Sequence, residues 1–189
     1  MHGPAASGWL LVALCAATGA YCLLRMRSSV EEQRRTAGGE ALMGFGMAAM
    51  AVPAAAFTPP SWAWTVYAVV FGTAGLHALW AARAGTRHLH HPLGAGAMVY
   101  MAVAMAASPG AGQGHPHGSS GTPLLTGVLL LYFTGYVLVT GVRLVPVAAA
   151  AGNPAPRAGG FSGWGDRPEL ARACRLSMGI AMVAMLLTM

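Results

Sequence analysis

Ser7–Arg27 reads SGWLLVALCAATGAYCLLRMR. From Ser7 to Leu24 the stretch carries no charged residue, and Arg25 and Arg27 close it. A helix needs about 20 residues to cross about 30 Å of hydrocarbon, with a range of about 17–25. The stretch is therefore long enough to cross. Its arginines fall where a charged head can stay in water while the apolar run stays in lipid. No basic start precedes the run, so a first helix that stays uncleaved, with its N-terminus outside, is expected.

Five further runs of the same kind follow: 41–57, 62–82, 91–108, 123–142 and 173–189. The fourth is the shortest, and Pro92 suits a helix's first turn, where a missing N–H costs nothing. The arginines test this division. Arg25, Arg27, Arg34 and Arg35 fall after the first run, and Arg83 and Arg87 after the third. Arg143, Arg157, Arg167, Arg172 and Arg175 fall around the fifth gap. All 11 basic residues are thereby on one side, and the gaps 58–61 and 109–122 hold no charge. The positive-inside rule puts the charged loops in the cytoplasm. The expected fold is an all-α bundle of six transmembrane helices, a single domain over 1–189, with both termini outside. The expected location is the plasma membrane. Trp62 and Trp64 open the third run at its outer interface, where aromatic rings are favoured.

Composition agrees. Charged residues are 8% and hydrophobic residues 56% of the 189, against about 25% charged in soluble domains. Too few charges remain to coat a water-soluble globule, and too much apolar material is present for disorder. The net charge of +6 sits in loops rather than on a basic face with aromatics, so nucleic acid is not the expected partner. The lipid bilayer is, with room for a membrane-protein partner or a second copy.

Twelve methionines are grouped. The second run has Met43, Met47 and Met50; the fourth has Met98, Met101 and Met105; the sixth has Met178, Met182, Met185 and Met189. MGFGMAAM at 43–50 parallels MGIAMVAM at 178–185, and AMVYM at 97–101 matches the second half. Spacings of four and three put each triplet on one helix face. Two readings stand. Methionine is a flexible filler of apolar cores, and thioethers are soft ligands that select Cu(I).

Histidines add to the second reading. His77 lies inside the third run, where an ionisable group is costly. His88, His90 and His91 make the sequence RHLHHP at the start of the fourth, dense enough for a metal, or simply a solvated turn. His2, His115 and His117 fall outside the runs. Glu40, His91 and Arg175 stand three residues before the first ladder position of their helices. A helix dipole favours Glu40 at an N-terminus, and a Glu40–Arg175 contact is expected. Cys15, Cys22 and Cys174 read as small apolar packers; Cys22 and Cys174 fall near the same membrane face, where a metal or redox pair is the alternative reading.

With EALMGFGMAAM at 40–50, HHPLGAGAMVYM at 90–101 and ACRLSMGIAMVAM at 173–185, most of the chain resembles an actinobacterial family of multi-pass membrane proteins catalogued as a domain of unknown function. The resemblance implies helices that open with His-x-x-Met. Here His91 alone keeps the histidine, with Gly94 at its partner position; Glu40 and Arg175 stand in the other two places. The resemblance implies membrane location and no established activity.

No phosphate-binding loop, dinucleotide fingerprint, nucleophile elbow or zinc-protease motif occurs in the sequence, and no enzyme is expected. The expected function is binding or transfer of a soft metal, Cu(I), at Met43, Met47, Met50, Met98, Met101, Met178, Met182 and Met185 with His77 and His91. The alternative is a non-catalytic partner subunit of a membrane complex. The first requires the three stripes to converge; the second predicts stripes that face lipid or a partner.

Overall fold

The structure is a computed structural model that describes residues 4–27, 31–53, 56–83, 90–107, 122–151 and 168–188. Among them there are six helices and no strands: α1 Pro4–Arg25, α2 Glu31–Met50, α3 Ser61–Arg83, α4 His90–Ala107, α5 Pro123–Ala151 and α6 Pro168–Leu187. Prolines begin α1, α5 and α6, positions where the fixed φ suits a helix and no N–H is missed. Four stretches are long and apolar enough to cross a membrane: Ala6–Arg25, Ser61–Ala81, Pro123–Arg143 and Glu169–Leu187. His91–Ala107 is a shorter apolar helix.

α2 departs from the run read in the sequence. It begins at Glu31 rather than Ala41 and ends at Met50 rather than Phe57. Its first half is polar yet rich in good helix formers, and an exposed Arg34–Glu31 ion pair of 2.5 Å spans one turn. Its end follows from Pro53. A proline lacks the N–H the next turn would need, and it pushes the residue before it out of helical geometry. The chain turns there instead, with Ala56 N–H donating to the Pro53 carbonyl at 2.8 Å. Glu40 therefore lies inside α2, not at its N-terminus, and the helix dipole is not what holds it.

The chain groups into two compact units, one of residues 1–51 with 130–187, the other of 52–129 with 188–189. In the first, α1 packs along α2, and α6 packs on both. The α1–α2 crossing is very close. A Cβ on Gly44 would fall 2.8 Å from Gly19 Cα and 3.2 Å from the Cys15 carbonyl oxygen. Both partners are backbone, so only glycine fits at 44. Such approaches between small residues replace water exclusion as the source of helix association in lipid. Gly179 of α6 similarly admits Val137 of α5, whose Cγ2 would lie 2.9 Å from an added Cβ. The α1 face turned inward is Cys15, Thr18, Gly19, Cys22 and Arg25, all buried. Thr18 satisfies its hydroxyl on the Cys15 carbonyl at 2.9 Å.

In the second unit α3 and α4 pack antiparallel. Gly75 stands against Ala95 and Gly72 against Val99. The start of α5 joins them through Tyr100, whose hydroxyl is 2.7 Å from Thr126 Oγ1. Phe71, Ala95, Ala97, Met98, Met101 and Ala102 are buried.

The glycine contact sets an expectation for stability. Gly44→Leu should destabilise the folded chain at the upper end of the ~1–3 kcal/mol typical of overpacking, since backbone rather than a side chain must give way. Gly135→Ala, where nothing lies within 4 Å, should cost nothing. Thermal unfolding of the detergent-solubilised protein reads both.

Candidate functional site

The first unit holds a buried ionic cluster. Glu40 of α2 is 2% exposed and Arg25, the last residue of α1, is 1% exposed. Arg25 NH1 donates to Glu40 Oε2. Arg175 of α6, its side chain 36% exposed, donates from Nε to Glu40 Oε1 at 2.7 Å. One carboxylate thus joins three helices, each of its oxygens taken by a different arginine. The Cys22 thiol, one turn from Arg25 on the same helix, donates to Glu40 Oε2 at 3.7 Å. The expected Glu40–Arg175 contact is present. Arg25 is an addition: the sequence marks it as a loop charge, whereas it turns inward. Among the described residues its Nε has no acceptor.

Two guanidinium groups on one carboxylate leave a formal charge of +1. Breaking a buried pair is costly because the partner remains as an uncompensated charge, about 3–5 kcal/mol. The partial exposure of Arg175 lets part of this excess reach solvent or headgroups.

The methionine ladder sorts between the two units. Met43, Met47, Met178, Met182 and Met185 are buried in the first, on two helices that pack together, and Met50 is half-buried. Met98 and Met101 are buried in the second, with Met105 half-buried. His91 is half-buried in the first turn of α4. His77 is exposed on α3, lining an open hollow with Leu76, Leu79 and Trp80. His90 begins α4, but its side chain is not described. His2, His88, His115 and His117 lie outside the described residues. Among the described residues no three His, Cys, Asp or Glu side chains are placed to hold a metal ion.

Sequence reasoning missed Arg25 and Cys22 as members of this site. A signal was present: within the charge-free run, Cys15, Thr18, Gly19 and Cys22 fall on one helical face that Arg25 continues, and polar groups aligned on one face of an apolar helix mark the face turned to protein.

The described residues are all-helical, with four helices long and apolar enough to cross a bilayer, and such a chain is a membrane protein by class. Its family is shown by sequence. Residues 32–189 match the model of DUF5134, a domain of unknown function, and the chain belongs to that family. No curated protein and no solved structure matches it.

Glu40→Gln should lower stability by about 3–5 kcal/mol, since it leaves Arg25 buried without a counter-charge. The apolar replacement Glu40→Leu/Arg25→Met/Arg175→Met should recover most of that loss, because the desolvated charges go together. Thermal unfolding of the three proteins checks the order.

Proposed function

We propose that this chain is a plasma-membrane protein of six spans, N-terminus and C-terminus outside, that binds or passes a soft metal ion, Cu(I), along its methionine stripes, without catalysis of its own. Large exposed apolar side chains occur on all six helices, among them Leu10, Phe45, Trp80, Val103, Leu131 and Ile180. That includes α2 and α4, the two helices too short or too polar to qualify alone. A soluble protein rarely exposes so much apolar surface; lipid accommodates it.

The observation that carries the metal reading is how sulfur and hydrocarbon are sorted. On α2, Met43 and Met47 are buried while Leu42 and Phe45 are exposed. On α4, Met98 and Met101 are buried while Leu93 and Val103 are exposed. On α6, Met178, Met182 and Met185 are buried, with Leu186 beside them, while Ile180 and Leu187 are exposed. Leucine and isoleucine would fill an interior as well as methionine by hydrophobicity. The thioether adds a soft lone pair. The inward turn of these stripes supports the metal reading, which further requires that the three converge.

Two measurements test the proposal. Accessibility labelling in membranes should find cysteines introduced near Arg34 and near His115 on opposite sides; the same side for both would remove the topology. Anaerobic Cu(I) loading should leave copper on the purified protein, with much less on Met47→Leu/Met101→Leu/Met182→Leu. Equal copper in both would end the metal reading.

A further inference from the structure

The ionic cluster fixes how three helices are registered against one another, and that register has a chemical consequence. Arg25, Glu40 and Arg175 meet at one point. A displacement of three residues along a helix is about 4.5 Å of axis and returns nearly to the same face. α1 runs antiparallel to α2, since Glu40 meets Arg25 and Cys22 while Gly44 meets Gly19 and Cys15. In the six-span topology α6 runs with α2. Three residues along from its cluster residue, each helix then carries sulfur: Cys22 on α1, whose thiol reaches back to Glu40 Oε2 at 3.7 Å, Met43 on α2 and Met178 on α6. All three are buried.

We infer that Cys22, Met43 and Met178 form a Cu(I) site of one thiolate and two thioethers, directly beneath the Arg25–Glu40–Arg175 cluster. This rests on the soft-metal reading above and names the residues that would anchor the ion. Thiolate and thioether donors are the set that selects Cu(I). Charge singles out Cys22 at this level. The neighbouring cluster already carries a formal +1, and thioethers alone would bring a second buried positive charge beside it. A thiol takes up copper without that cost. The S–H bond breaks, an S–Cu bond forms, and the proton leaves to water. Cu+ with R–SH gives R–S–Cu and H+, and copper stays Cu(I) throughout. The site therefore gains no net charge. Cys15, on the same α1 stripe two turns away, has no such ionic neighbour and serves as the control.

The test is an anaerobic titration of the full-length, reduced protein in detergent with Cu(I) buffered by bicinchoninate, followed by the ultraviolet sulfur-to-copper charge-transfer band. Wild type and Cys15→Ser should bind alike and develop the band. Cys22→Ser should bind at least tenfold more weakly and lose the thiolate part of the band. If Cys22→Ser binds as wild type does, the inference falls while the stripe reading stands. If wild type retains no copper, both fall. Should Cys22→Ser fail to fold, Met43→Leu/Met178→Leu decides, since it keeps the core apolar and nearly the same volume. A loss of tenfold or more there, with little change in Met47→Leu/Met182→Leu, upholds the site; wild-type affinity, or an equal loss in both variants, overturns it.

Discussion

A carboxylate with 2% exposure cannot remain charged in an apolar interior without partners, and Glu40 has two. Those partners come from the two helices packed on α2, so satisfying one charge ties α1, α2 and α6 together. The remainder of the first unit follows from that constraint. Once Arg25 and Glu40 meet, the antiparallel register places Gly19 against Gly44, and the resulting approach admits only glycine at 44. Packing in lipid is otherwise poorly directional, because side chains and acyl tails are about equally apolar. A buried ionic joint and a glycine crossing supply the direction.

The same joint concentrates chemistry at one end of the unit. Two arginines and a thiol all bond to one carboxylate there, and buried methionines follow along α2 and α6. Large hydrocarbon side chains are mostly on the outer faces, while alanines, Phe133 and Leu186 share the interior with the methionines. The interior is therefore softer in the chemical sense than its hydropathy indicates, since Met, Cys and Leu differ little in apolar character but greatly in what they can ligate.

Much of this was legible in the chain before folding. The apolar runs gave helices close to those observed for α1, α3 and α4, because length and hydropathy are properties of a segment taken alone. The pairing of Glu40 with Arg175 was legible too, since both stand at the same place in a repeated pattern. Less legible was α2, where local helix formers extend the helix upstream and Pro53 shortens it downstream. Hydropathy averages over both effects. The inward turn of Arg25 was hidden, because an arginine after an apolar run reads as a topological marker unless the face it shares with Cys22 is considered.

The sequence by itself determined that the chain is helical, that its apolar runs are bounded by arginine, and that methionine recurs on one face of three helices. These follow from periodicity and composition, which need no neighbour to be read. Only the tertiary structure decided that Glu40 is held by two arginines rather than by a helix dipole. It also decided that Cys22 shares that carboxylate, and that the methionine faces turn inward. Each of these depends on which helix lies beside which. That is set by close approach and charge satisfaction between segments far apart in the chain, and no single segment encodes it.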